Sequence, residues 1–505
     1  MRKDTAEEDE MSPKPRPEIF VSNHRQLLFD DFFLAMASSQ HPDQLAHKIR
    51  WSLAKVEKHP EPIFFGEPPW EDSKQWFCIL HDGGRYRLWY NSSVKSSRGL
   101  RVSYAESEDG LEWRRPKLKL VEWEGSKDNN LVYLGAFGVS YELGNVFIDP
   151  VAKPEERYKM VGAEWLTDRA FGTPYIGAPG AFMAAYSLDG IHWEHYWRDL
   201  LGRYPDSQNV ATYDPVLEKY VAYIRSGNTY GELSVGEHPV RGVGRGRGVG
   251  RIESEEFTHW PGQYSGEHVQ IALAADIQDG LNVDVYNSGY SRYPEADNAH
   301  FMFPSFYHHW EGTFLVQVAV SRDNRRWVRP TREVFIPLGE PGSFDCHILS
   351  VAPGFVPIDK DHYALYYRSG NMPHGGAHPS VAKPEKPVDG MGRVVLKRDR
   401  VVGIEAGPEE GTFSTRRLLF EGRRLVLNVE PTGPDPCLVV QILSGEDDEP
   451  LAGFTFEDSV PLREDNLDAV VSWKKGAELG ELGGKPVRLH FRLRSMRIYA
   501  FQFAE

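Results

Sequence analysis

The chain has 505 residues, 40% of them hydrophobic, and its 58 Lys and Arg stand against 73 Asp and Glu for a formal net charge of −15. That length exceeds what one ordinary core fills, so two domains, or a repeat array with an appendage, are expected. A surface this acidic lacks the excess of Lys and Arg that nucleic acid or an anionic membrane requires, and neutral or cationic ligands fit better.

Residues 1–18, MRKDTAEEDEMSPKPRPE, alternate charge and proline without an apolar stretch of signal-peptide length, which predicts a disordered leader. No later run approaches the roughly 20 apolar residues of a membrane span. Cys78, Cys346 and Cys437 are widely separated and form no Cys-x-x-Cys pair, so they read as buried thiols in a reducing, cytoplasmic setting. No cofactor is expected.

Four turns repeat along the chain: SEDGLEW at Ser107–Trp113, SLDGIHW at Ser187–Trp193, SEEFTHW at Ser254–Trp260 and SRDNRRW at Ser321–Trp327. They begin 80, 67 and 67 residues apart, and each follows a strand-like segment such as LRVSYAE or FLVQVAVS. Ser and Asp side chains accept from backbone N–H groups two or three residues on, Gly110 and Gly190 suit a positive φ, and Trp folds back as an apolar plug. These are structural latches. Upstream of them lie paired strands, WFCIL with RYRLWY, NVFI with RYKMVG, NVATY with KYVAYI and HILSVA with HYALYY, joined by turns rich in Asp, Gly and Pro. Strand, hairpin, strand, loop, strand, Ser-x-Asp turn and strand make a four-stranded antiparallel sheet of about 45–70 residues, the blade of a propeller. Counting the block around FMFPSFYHHW with these pairs, the last of which is the block from Phe344 to Arg368, gives five blades over residues 19–393.

From about Val394 the vocabulary changes. RRLVLNVE, PCLVVQIL and VRLHFRLRSMRIYAFQF alternate apolar and polar residues without a Ser-x-Asp turn, which predicts a β-sandwich over 394–505. Val487, Leu489, Phe491 and Leu493 share one face, and Ser495 and Met496 break the phase, as a bulge would. The fold class is therefore all-β, a five-bladed propeller followed by a sandwich.

Ser-x-Asp turns recurring through five blades, with SEEFTHW the nearest to a Ser-x-Asp-Leu-x-His-Trp form, and a sandwich behind them, resemble the glycoside hydrolases of families 32, 43 and 68. The resemblance implies hydrolysis of a glycosidic bond by carboxylates at the channel mouth, with a furanoside such as a fructoside or arabinoside as first substrate. The Asn-Asp-Pro-Asn, Arg-Asp-Pro and Glu-Cys segments of family 32 are absent in proper form. FIDP (Phe147–Pro150) approaches the second, but Asp149 occupies the same hairpin turn as Asp82, Asp214 and Asp359, and four equivalent turns are structural. Sialidases carry a related turn on six blades with an arginine triad, and family 130 phosphorylases need a basic phosphate site.

In a propeller the segments entering the innermost strands converge on one channel mouth. They offer Glu71 beside Trp70 in PPWED, Tyr141, Glu142 and Asn145 in the second blade, and Asp206, Gln208 and Asn209 in PDSQN. NVDVYNSGY offers Asp284 and Tyr286, and SFDCH offers Asp345 and His347. Asp206 leads, with no helix to cap and no Lys nearby to pair with; Glu71, Asp284 and Asp345 complete the catalytic candidates, and Glu142 and Glu295 stand behind them. Trp70, Gln208, Asn209, Tyr286, His347 and, in MPHGGAH, His374 are the substrate-contact candidates. His308 and His309 have no acidic or Cys partner at ligand spacing, so no metal is expected. RGVGRGRGVG (Arg241–Gly250) runs straight into a strand and reads as a long blade loop.

Two carboxyls, one protonated on the leaving oxygen and one ionised as nucleophile or base, would cleave the glycoside. The expected partner is a small carbohydrate, with homo-oligomerisation allowed and no nucleic acid or membrane involved. The rivals are a non-catalytic carbohydrate-binding propeller, which would keep its binding after Asp206→Asn, and a phosphorylase, whose rate would depend on inorganic phosphate.

Overall fold

A computed structural model describes residues 18–35, 44, 46–66, 70–71, 76–94, 97–165, 180–201, 205–226, 234–235, 238–239, 246–261, 269–280, 282–296, 298–375 and 377–505. The leader through residue 17, Asp72 with Pro68 and Pro69, and Arg241 to Arg245 of the Arg-Gly segment lie outside them. The fold is all-β. Among the described residues no helix is long and apolar enough to cross a membrane.

The chain forms two compact units, residues 53–400 and residues 1–52 with 401–505. This division differs from the expected boundaries at 18 and 393. Ile19–Val21 pairs in parallel with Leu418–Phe420, and Gln26–Leu27 pairs with Met496–Ala504, so the early strands belong with the C-terminal segment. The strand Asp389–Lys397 spans position 394 and completes a nine-residue ladder with His362–Gly370 in the larger unit.

The described residues of 53–400 build sheets I to V, the fourth in two parts, and a small pair, Ser234–Val235 with His238–Pro239. Sheet I holds Phe77–Asp82, Arg85–Val94, Ser97–Ser107 and Leu131–Tyr133; sheet II holds Ser140–Ile148, Tyr158–Trp165, Gly180–Ser187 and Glu194–His195. Sheet III holds Val210–Asp214, Lys219–Ser226, Gly248–Ser254 and Gln270–Ala274. Sheet IV is cut into two three-stranded halves, Val283–Val285 with Ser305–His308 and Thr313–Val316, and Tyr290–Arg292 with His300–Met302 and Ala319–Ser321. The cut falls at Pro304, which has no N–H for the ladder. Sheet V holds Ile348–Val351, His362–Gly370 and Asp389–Lys397, and takes its outer strand from Glu57–Lys58 at the start of the unit.

Apolar seams join these sheets in a closed cycle. Trp89 and Tyr104 of sheet I pack with Tyr141 and Met160 of sheet II, and Phe147 and Phe182 of sheet II with Ala211 and Ile252 of sheet III. Tyr223 and Val249 of sheet III meet Val285 and Met302 of sheet IV, and Phe314 of sheet IV meets Ile348 of sheet V. Ala364 and Tyr366 of sheet V return to Ile79 and Leu88 of sheet I. Each fully buried large side chain here contributes about 1.5–3 kcal/mol, so the seams dominate the cohesion of the unit.

The first-hairpin turns add a parallel set of polar links. Asp82 takes Arg157 at 2.6 Å in sheet II, Asp149 takes the Tyr220 hydroxyl at 2.8 Å in sheet III, and Asp214 takes the Asn324 amide at 2.6 Å in sheet IV. Glu295 takes the Tyr363 hydroxyl of sheet V at 2.7 Å, and Tyr86 of sheet I donates to the Pro357 carbonyl at 3.0 Å. The structural reading of Asp149 follows from this linkage.

The Ser-x-Asp turns close as their residue types dictate. Ser187 Oγ accepts from Gly190 N–H at 2.9 Å, and Asp189 Oδ1 accepts from Ile191 and His192 N–H, each at 2.9 Å. Gly110 and Gly190 sit at φ 72° and 74°, and Asn324 takes the same left-handed place at φ 55°. Glu256 departs from the pattern, since only its backbone meets Ser254 Oγ in the hydrogen bonds of that turn.

In the other unit a five-stranded and a six-stranded sheet share one core, in which Leu438, Phe491 and Leu489 meet Leu427, Ile498 and Phe501. The bulge expected at Ser495 is instead a corner. Ser495 stands at φ 48° between Val487–Arg494 and Met496–Ala504, which belong to different sheets.

Candidate functional site

In antiparallel sheets the first-hairpin turns mark one end, so the segments entering the first strands lie at the other end with the second hairpins, His308 to Thr313 and Gly370 to Asp389 among them. Trp76 enters sheet I, Glu142 opens sheet II, Asp284 and Tyr286 enter sheet IV and His347 enters sheet V.

An aromatic cluster forms there. The Tyr286 ring lies 6.3 Å from Trp76, 4.5 Å from Phe314, 6.0 Å from Tyr307 and 5.0 Å from His374. Arg247 sits 4.5 Å over the Tyr286 ring and Arg368 5.5 Å over the Trp76 ring, the geometry of cation–π pairs. Trp76 Nε1 donates to Glu142 Oε1 at 2.7 Å.

Asp284 closes the far side. It is 2% exposed, and His309 Nε2 meets its Oδ2 at 2.9 Å, with the His309 ring 4.0 Å from Tyr307. Its Oδ1 is buried and has no hydrogen-bond partner among the described residues, as are Arg247 Nη1, Arg368 Nε and His347 Nδ1. A buried polar atom without a partner costs about 1–3 kcal/mol, a cost that a polar ligand meeting these four would remove.

Burial, reinforced by Arg368, Arg247 and His309, pushes the His374 imidazole down to about 4, so it is neutral at neutral pH. Burial also lowers His347. Burial and the Asp284 charge raise the Tyr307 hydroxyl, which donates to the Gly375 carbonyl at 3.1 Å. Neutral donors beside a buried carboxylate suit hydroxyl recognition.

The remaining candidates have other settings. Asp206 pairs with Arg225, a strand residue nineteen positions on that supplies the cation the local sequence lacks. Gln208 Nε2 donates to the Phe77 carbonyl of sheet I at 2.9 Å and the Gly144 carbonyl of sheet II at 3.0 Å, while Asn209 accepts from Arg225 N–H at 2.8 Å and caps its own turn. Both amides hold the backbone. Glu71 is fully buried rather than a solvated loop acid, bonded by Tyr90 and by Arg115 at 3.1 Å. Asp345 takes Lys58 at 2.5 Å, the Tyr367 hydroxyl at 3.0 Å and Ser343 Oγ at 3.0 Å. Trp70 packs edge-on against Trp123 and donates to Asn130 at 2.8 Å. Glu71 and Phe344 line a separate cleft of about 800 Å3 with Phe65, Lys386 and Asp389.

The structure thus brings together Asp284, Tyr286 and His374 of the primary candidates, with Glu142 from the reserves. Glu295 lies at the opposite, first-hairpin end. Sequence reasoning missed Trp76, Arg247, Tyr307 and Arg368. Trp76 opens WFCIL and was legible as strand; Arg368 is one residue within the strand His362–Gly370, and Arg247 closes the Arg-Gly segment read as a blade loop, so neither carries a local signal of a site.

No protein-family model and no curated sequence matches the chain significantly. Solved structures similar to it include several described as glycoside hydrolases and an N-acetylgalactosamine deacetylase from F. plautii. One described as a glycoside hydrolase has 14% identity and a TM-score of 0.43, over 67% of this chain and 92% of its own. The catalytic domain of a family 62 α-L-arabinofuranosidase from Coprinopsis cinerea has 9% identity and a TM-score of 0.42, over 70% and 99%. A structure from the family 130 mannoside phosphorylases, described as containing glycoside hydrolases that target β-1,2-mannosidic linkages in Candida mannan, has 14% identity and a TM-score of 0.41, over 68% and 94%.

Proposed function

We propose that the cyclic unit is a five-bladed β-propeller, the two-sheet unit a β-sandwich, and the protein a glycoside hydrolase acting on a short oligosaccharide or glycoside. Asp284 carries the reading. Its Oδ1 is buried yet free of partners among the described residues, its Oδ2 is fixed by His309, and aromatic rings suited to the apolar face of a sugar stand beside it. Asp206, Glu71 and Asp345 each have a cationic partner, which suits them to holding loops. Asp284 and Glu142 are the two carboxyls assigned to the reaction, one to protonate the leaving oxygen and one to assist attack. A furanoside is the first substrate to try, on the resemblance of the Ser-x-Asp repeat alone.

The test is a screen of nitrophenyl glycosides and short oligosaccharides with the wild-type protein and Asp284→Asn. Removing an acid–base group lowers kcat by about 10²–10⁴-fold while binding persists. Hydrolysis by Asp284→Asn at the wild-type rate would remove Asp284 from the chemistry.

The free Arg247 Nη1 and Arg368 Nε favour a second reading, phosphorolysis, because guanidinium groups suit a phosphate. A rate that rises with inorganic phosphate, and that falls in Arg368→Met, identifies it.

A further inference from the structure

Trp310 stands in the second hairpin of sheet IV, one residue beyond the His309 that holds Asp284. It is 54% exposed, yet its ring lies flat on His378, with centroids 3.9 Å and planes 8° apart. His378 is itself fixed, since its Nδ1 meets the Ser380 hydroxyl at 2.7 Å and its backbone N–H donates to the Trp310 carbonyl at 2.9 Å. Gly312, at φ 68°, accepts from His374 N–H at 2.8 Å, and a Cβ there would collide with Ala377 and Pro373. The loop bearing His374 and His378 is therefore pinned to the hairpin bearing His309 and Trp310. One piece of structure presents an imidazole to the aromatic cluster and an indole to solvent.

An indole braced from behind has little ordering entropy left to lose when a ring stacks on its front. Glu311 and Gly312 follow it in the chain and Pro379 and Ser380 follow His378, so the chain around the exposed ring offers no run of apolar residues of the kind a protein partner's patch requires. A sugar ring, apolar on its C–H face and polar at its rim, matches this setting. We infer that Trp310, backed by His378, is an outer sugar-stacking site that receives a ring of a neutral oligosaccharide whose reacting end lies at Asp284. This rests on the glycoside hydrolase reading and adds to it a requirement for substrate length.

The experiment titrates wild type, Trp310→Ala, Trp310→Phe and Asp284→Asn with gluco-, manno-, xylo-, arabino- and fructo-oligosaccharides, by calorimetry and by tryptophan fluorescence. With the series that binds best, Trp310→Ala weakens chains of about five rings roughly five- to tenfold and chains of about two rings less than about twofold, and Trp310→Phe restores most of the loss. Asp284→Asn keeps the length dependence. Equal losses for long and short chains, no loss, or no binding of any series by the wild type overturns the inference. A length-dependent loss in Trp310→Ala together with unchanged hydrolysis in Asp284→Asn retains the stacking site and removes the catalytic assignment. Loss of hydrolysis in Asp284→Asn with length-independent binding does the reverse.

Discussion

Glu164 lies in the second strand of sheet II and is fully buried, in the same antiparallel register as Tyr141 and Ala181. Its Oε1 accepts from Phe137 N–H at 2.7 Å and its Oε2 from Ala136 N–H at 3.0 Å, and among the described residues no cation pairs with it. Burial pushes its carboxyl from 4.5 up to about 7, with the backbone amides offsetting only part of the rise. A raised carboxyl favours the fold at low pH and loses that contribution as the unfolded chain ionises first. Stability therefore falls between about pH 4.5 and 7, by about 3 kcal/mol in all, and the loss is complete above the folded value. Glu164→Gln removes the proton exchange while leaving one amide N–H facing an NH2 group, at a cost of about 1–2 kcal/mol. In urea unfolding the variant is less stable than wild type near pH 5 and gains most of about 3 kcal/mol on it by about pH 8. A wild-type-minus-variant difference that stays constant across that range refutes the assignment, because titrations elsewhere cancel in the comparison.

Asp189 gives the opposite sign. Burial opposes its charge, but the His192 and Ile191 N–H groups, the His192 ring and the Ser187 hydroxyl outweigh burial and bring the carboxyl to about 2. Because the turn is largely open to solvent, Asp189→Ala costs only about 1 kcal/mol, a difference present above about pH 4 and lost as pH falls toward 2, read by thermal unfolding. Gln208→Ala leaves the Phe77 and Gly144 carbonyls without their shared donor and costs about 2–4 kcal/mol, read by urea unfolding; Gln208→Glu, which supplies no donor when ionised, does not restore it.

The local grammar of the fold was legible, because a Ser-x-Asp turn and an alternating strand each depend on residues a few positions apart. What closes the cycle was not. Sheet V is finished by Glu57–Lys58, two residues with no strand signature, which are ordered by pairing with Val394 and Val395. Residues 19–52 cluster with 401–505, a grouping no local pattern signals, since Ile19–Val21 has a parallel partner some four hundred positions away. For Asp206 the inference failed at one step. A search for neighbouring Lys residues cannot find Arg225, which becomes a neighbour only when the Lys219–Ser226 strand folds back on Val210–Asp214.

That distinction also orders the acids. A carboxylate that already has a cation is held in place by it. Asp206, Glu71 and Asp345 are in this position, each joining two segments of the chain. Asp284 is held by a single imidazole through one oxygen while the other is kept dry and unsatisfied, an arrangement that costs stability in the free protein. Stability alone would favour a partner for that oxygen, and under the proposed reading a ligand supplies it.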